Sequence, residues 1–205
     1  GGLTASIGAA VDTVMTLGSG NDVITASTTD ALVAANTLSV DGGEGSNTLV
    51  LGDAADVDTA ADAARYTNFD TLAVVDDINT SLVAGITTVS VGANTSAIIS
   101  ALDAAKAANI TMSAGNTTST IFTLLNATGT SDVLSLDLNA GALALTTEVD
   151  IVGVSAIGFE TVNVANTTGE ALATNAAGGN TNFAFLANTA DSVGNINITG
   201  ANDFT

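Results

Sequence analysis

The chain has 205 residues, and its 21 Asp and Glu stand against two basic side chains, Arg65 and Lys106, for a formal net charge of −19. Such a surface repels nucleic acid and anionic membranes through the field of the whole molecule, so its natural partners are cations. With no His and no Cys, imidazole bases, thiolate nucleophiles, structural zinc sites and disulfides are excluded, and catalysis would rest on carboxylates alone.

Paired carboxylates can hydrolyse glycosides, but a chain with no Trp, one Tyr and six Phe has little aromatic surface for a sugar-stacking cleft, so the composition argues against an enzyme. The 46% hydrophobic content in alternating runs is enough for a core, and the length suits one large all-β domain or two small ones. No run approaches the roughly 20 apolar residues that span a bilayer, and no charged segment followed by an apolar one marks a secretory signal. A start at Gly1-Gly2 and a strand-like finish at Asn202-Asp203-Phe204-Thr205 read as a piece of something longer or a processed chain.

In chain order, strand patterns at 11–17 and 21–26 flank a first glycine turn, Leu17-Gly18-Ser19-Gly20-Asn21-Asp22-Val23-Ile24. Those at 36–41 and 47–52 flank a second, Asp41-Gly42-Gly43-Glu44-Gly45-Ser46-Asn47-Thr48-Leu49. Asp53 to Tyr66 is Ala-rich, with acids early and Arg65 late, which predicts a helix aligned with its dipole. Strand patterns follow at 69–76 and 80–91. Thr95 to Asn109 places Ile98, Leu102 and Ala105 on one face and Asp103 three residues before Lys106, predicting a second helix. Beyond it, period-two alternation or β-branched runs mark 110–113, 119–125, 132–138, 142–145, 149–154, 159–165, 182–187 and 194–199 as strands. Proline is absent, and the turns rely on Gly, Asn and Asp.

An internal repeat organises these elements. Ser46-Asn47-Thr48-Leu49-Val50-Leu51 lies over Ser131-Asp132-Val133-Leu134-Ser135-Leu136 at an offset of 85, and Asn68-Phe69-Asp70-Thr71-Leu72 over Gly158-Phe159-Glu160-Thr161-Val162 at 90. The expected division is a first β unit over 1–91 with the two glycine turns and a helix, a degenerate second unit over 92–181, and the start of a further β element over 182–205. The expected fold is mainly β: repeated strand-turn-strand units stacked as a β-solenoid or a sandwich-like body, with one or two short helices.

Glycine lets a backbone turn face its carbonyls inward, and the following Asp or Asn adds a side-chain oxygen, so both turns offer hard ligands suited to calcium. The candidate ligands are Gly18, Gly20 and Asp22 in the first turn and Asp41, Gly43, Gly45 and Asn47 in the second. The alternative is an ordinary hairpin turn, in which Gly supplies positive φ and Asn or Asp caps. The third copy, Ala127-Thr128-Gly129-Thr130-Ser131-Asp132, keeps the acid without the glycines and reads as structural. The first two turns are 25 residues apart, whereas one edge of a regular nonapeptide roll returns about every 18; an isolated site, or one shared with flanking chain, is expected. Asp70 and Glu160, within the Phe-acid-Thr strands, read as solvated or edge residues, not paired catalytic acids. Asp53, Asp56, Asp58 and Asp62 read as a solvated helix face. Seven Asn-x-Ser/Thr triplets, beginning at Asn79, Asn94, Asn109, Asn116, Asn126, Asn166 and Asn197, are expected by chance in so Asn- and Thr-rich a chain.

The nonapeptide-like turns Leu17–Thr25 and Gly42–Val50, which approach G-G-x-G-x-D-x-U-x, the Phe-acid-Thr strands and the Cys- and His-free composition together resemble bacterial surface-layer proteins of the RTX-related, type I-secreted kind. The motif likeness covers some forty residues. The resemblance implies a non-enzymatic structural protein, secreted to the extracellular cell surface, that self-assembles into a calcium-dependent lattice. The implied ligands are Gly18, Gly20, Asp22, Gly43, Gly45 and Asn47, the last lacking the motif's acid. The implied partner is the chain itself, with a cell-surface polysaccharide as a further candidate. Two other readings remain open: a calcium-stiffened adhesin or extender repeat, and a subunit of an extracellular filament.

Overall fold

The computed structural model describes residues 1–7, 14–26, 38–114, 116–138, 151–166, 183–185 and 193–200. The expected strand at 142–145 lies outside them. In chain order the strands of the first half are β1 (Thr4–Ser6), β2 (Val14–Thr16), β3 (Val23–Thr25), β4 (Ser39–Asp41), β5 (Thr48–Leu51), β6 (Tyr66–Thr67), β7 (Thr71–Val74) and β8 (Ile78–Asn79). Those of the second half are β9 (Thr88–Val91), β10 (Asn94–Leu102), β11 (Ile110–Met112), β12 (Asn116–Leu124), β13 (Val133–Leu138), β14 (Ile151–Ile157), β15 (Thr161–Asn166), β16 (Phe183–Phe185) and β17 (Asn195–Gly200). Two four-residue helices, α1 (Ala60–Ala63) and α2 (Ala104–Ala107), complete the list with a short 3-10 turn at Ala54–Val57.

The fold is mainly β, and every strand pairing is parallel among the described residues. Nine odd-numbered strands, β1 to β17, form one long sheet in chain order. Between successive members the chain makes an excursion through a three-stranded sheet (β2-β4-β6) in the first half, and through a five-stranded one (β8 to β16) in the second. Parallel neighbours cannot be joined by a hairpin, so each circuit returns the chain one strand further along the long sheet. This connectivity is compatible with the solenoid arm of the expected fold.

Period-two alternation builds the core. Along the long sheet Ile24, Leu49, Leu72, Val89, Ile110, Leu136 and Val164 are direct register partners, and each is at most 2% exposed. A second row, Leu51, Val74, Val91, Met112 and Leu138, lies two residues on. The five-stranded sheet contributes Ile99, Phe122 and Ala156, again in register. Intervening positions such as Thr48, Thr71, Thr88 and Ser135 are partly exposed on the outer face.

Neither predicted helix has the expected extent. Residues 94–102 form the strand β10, and only Ala104–Ala107 coils, capped by Asp103, whose carboxylate accepts from the Lys106 N–H at 3.0 Å. The β-branched run Thr95, Ile98 and Ile99 suits a pleated surface, and pairing with both β8 and β12 overrides the i,i+3 and i,i+4 pattern. In Asp53–Tyr66 the chain breaks into two single turns, each with its own cap, Asp53 and Thr59. The predicted strand 80–91 is a turn followed by β9, because Thr80 is buried with its hydroxyl on the Ser100 and Ala101 carbonyls.

Candidate cation site in the stacked glycine turns

At four corners where the chain enters the long sheet, before β1, β3, β5 and β13, a residue has an N–H that the sheet ladder does not take, and such an N–H needs a partner. Side chains of the next circuit supply it. Asp22 Oδ1 accepts from the Leu3 N–H at 2.6 Å, Asn47 Oδ1 from the Asp22 N–H at 3.0 Å, and Asp70 Oδ2 from the Asn47 N–H at 2.9 Å. The same arrangement recurs farther on, where Glu160 Oε2 accepts from the Asp132 N–H at 2.7 Å. In both places the acid's own N–H and that of the following Thr donate back, to the Asn47 carbonyl in one case and the Asp132 carbonyl in the other. The acids of the two Phe-acid-Thr motifs are therefore corner acceptors and not simply solvated, while Phe69 and Phe159 are buried in the core just ahead of their strands.

This ladder brings the two glycine turns together. Their 25-residue separation, from which an isolated site or one shared with flanking chain is expected, closes one circuit: β3 pairs directly with β5, and the turns lie on each other. The Glu44 N–H donates to the Gly18 carbonyl at 3.0 Å, and the Ser46 N–H to Asn21 Oδ1 at 3.0 Å. Contact is close enough to demand glycine: a Cβ on Gly43 (φ 73°) would sit 2.3 Å from the Gly18 oxygen, and one on Gly45 (φ 106°) 2.3 Å from the Gly20 oxygen.

Several predicted ligand oxygens are already engaged. Asn47 is fully buried, with Oδ1 on the Asp22 N–H and Nδ2 donating to the Asn68 carbonyl at 3.0 Å. Asp41 Oδ1 accepts from the Gly43 N–H at 2.9 Å and from Asn68 Nδ2 at 2.7 Å, and these two bonds hold its carboxyl below the usual range. The Gly18 oxygen takes the Glu44 N–H. Asp22 is 3% exposed, and its Oδ2, like Asp132 Oδ2 at the equivalent corner, is buried without a hydrogen-bond partner among the described residues. A carboxylate oxygen left free beside the glycine turns could take one hard cation, with Asp22 as its carboxylate. Asn47 fits less well as a ligand, because its side-chain oxygen serves the backbone. Among the described residues no group of three or more carboxylates gathers. Sequence reasoning missed Asn21, Asn68 and Asp70 as parts of this corner; the positive φ of Asn68, 59°, is a conformation that Asn tolerates.

A second acidic group stands apart, at the single turns after β5. Asp56 is buried, and its Oδ2 accepts the Gly52 and Asp53 N–H groups, while its Oδ1 has no partner. Burial pushes its carboxyl above the ordinary value. Burial, aided by the Asp56 charge, pushes the nearby Tyr66 hydroxyl up to about 12. The solvated face expected for Asp53, Asp56, Asp58 and Asp62 thus does not hold for Asp56. No helix among the described residues is long and apolar enough to cross a membrane. No protein-family model, curated protein or solved structure matches this chain.

Proposed function

We propose that this is a non-enzymatic structural protein of the bacterial cell surface, secreted and extracellular, that assembles with its own kind into a calcium-dependent surface layer. The observation that supports the reading is the pair of exposed apolar side chains on β17. At β17 the inward rows Leu134–Val162–Ile196 and Leu136–Val164–Ile198 continue in register, yet Ile196 is 45% and Ile198 52% exposed. Among the described residues β17 pairs on one side only, with β15, and a strand edge beside exposed apolar side chains is a template for adding further strands. Calcium enters this reading through Asp22 and the stacked carbonyls, where it would satisfy the orphaned oxygen and offset part of the −19 charge. A cell-surface polysaccharide remains the proposed anchor.

The single column of stacked circuits also supports a second reading, a filament subunit or calcium-stiffened adhesin repeat, in which units add end to end. Sedimentation of the wild type and an Ile196→Asp/Ile198→Asp variant in calcium tests the proposal. Large assemblies for the wild type and small particles for the folded variant are expected; equal assembly by both would remove the edge from the account.

A further inference from the structure

Seven Asn-x-Ser/Thr triplets occur in the sequence, and the structure separates them sharply. Asn94 and Asn116 are at most 9% exposed and belong to one buried network: Asn116 Nδ2 donates to Thr120 Oγ1 and the Gly153 carbonyl, and Thr120 Oγ1 to Asn94 Oδ1. The amide nitrogen of Asn109 is spent on the Ala105 carbonyl at 2.8 Å, and that of Asn197 on Asn163 Oδ1 at 2.8 Å. The motif at Asn166 runs beyond the described residues. Asn79 is exposed, and its Oδ1 accepts from the Ser81 N–H and hydroxyl, but its middle residue, Thr80, is fully buried and tied to two carbonyls.

Asn126 differs from all of these. It lies in the turn between β12 and β13, where residues 125–131 are exposed without interruption. Its Oδ1 accepts from the Thr128 hydroxyl at 2.8 Å and the Thr128 N–H at 3.3 Å, and its Nδ2 donates to no group among the described residues. Ala127, the middle residue, is exposed as well. Carboxamide and hydroxyl, the two groups that define the acceptor motif, therefore stand side by side on one accessible turn, with the nitrogen uncommitted among the described residues.

We propose that Asn126 is an N-glycosylation acceptor in the folded protein, and that it is preferred over the other five triplets that the structure describes. The donor class is a polyprenyl-diphosphate-linked oligosaccharide used by an oligosaccharyltransferase. In the transfer, Asn126 Nδ2 forms a bond to the anomeric carbon of the sugar, and the carbon–oxygen bond to the diphosphate breaks. The polyprenyl diphosphate leaves with the electron pair, and Nδ2 gives up one proton to a base of the transferase; nothing is oxidised or reduced. A glycan on this turn projects away from the core and costs no packing. The proposal does not depend on calcium binding or assembly.

The test incubates purified, folded protein with a transferase that reads only the three-residue motif and with its lipid-linked oligosaccharide, then maps the product by intact mass and peptide mass spectrometry. One added glycan at Asn126 is expected, lost in Asn126→Gln and Thr128→Ala and kept in Thr128→Ser, with Asn94 and Asn116 modified only after urea unfolding. Circular dichroism establishes that the variants remain folded. Absence of transfer to Asn126 in the folded protein, or equal transfer to Asn94 or Asn116, would overturn it.

Discussion

Replacing Asn47 by Ala probes the corner ladder at its most buried rung. The substitution removes the acceptor of the Asp22 N–H and the donor to the Asn68 carbonyl. A buried N–H left without a partner costs about 1–3 kcal/mol, and the partly exposed Asn68 carbonyl, which water can reach, adds about 0.5–1.5 kcal/mol. The sum, about 3 kcal/mol, is a large share of the 5–15 kcal/mol typical of a folded domain. For a chain of this size it lowers the melting temperature by about 6–12 °C. Thermal and urea unfolding followed by far-ultraviolet circular dichroism, in chelator, measures it, with Asn21→Ala as comparison. Asn21 holds one exposed bond, to the Ser46 N–H, and its loss should cost under about 1 kcal/mol. Asn47→Asp separates structure from metal binding. It keeps the acceptor but turns an oxygen toward the Asn68 carbonyl and sets a second charge beside Asp22, so it destabilises in chelator and recovers with calcium if the proposed cation binds there. An Asn47→Ala variant within about 0.5 kcal/mol of wild type, as for an ordinary surface position, would refute the ladder.

The farther pair should behave in the same way. Glu160→Gln retains an acceptor for the Asp132 N–H and stays within about 1 kcal/mol, whereas Glu160→Ala loses about 1–3 kcal/mol; a urea midpoint series distinguishes them. Asp56→Asn tests buried charge. Because the folded carboxyl binds its proton more tightly than the unfolded one, stability from that proton is present at low pH and lost as pH rises through the raised folded value. The variant should lose the wild type's gain in stability as pH falls toward 4; a wild-type profile parallel to the variant's would remove this role. Gly43→Ala forces a Cβ toward the Gly18 oxygen at positive φ, and a loss above about 2 kcal/mol in melting experiments is expected.

The sequence makes the β character legible through period-two runs such as Thr48–Leu51 and Val133–Leu138, which the structure places in one sheet with Leu49, Leu134 and Leu136 inward. It misleads at Thr95–Leu102, where i,i+3 and i,i+4 spacing coexists with β-branched residues and only the neighbouring strands decide. Strands as short as β6 and β8 carry no periodicity and exist because a neighbour pairs with them. Parallel pairing itself is invisible locally, since alternation is the same in either direction. The adjacency of the glycine turns is illegible for the same reason, because it depends on a circuit through a second sheet. Composition located the turns, but not the division of labour within them, where the Asn47 oxygen serves the backbone and Asp22 keeps one buried oxygen free. The equivalence of Asn47 with Asp132, and of Asp70 with Glu160, was legible as a repeat, and their shared bonds give it a physical reason.

The most direct measurement is electron microscopy of the purified chain, first in calcium and then after chelation. Ordered arrays or filaments that disperse when calcium is removed are predicted. Single particles of one size in both conditions, or arrays indifferent to chelator, would contradict an assembly gated by calcium.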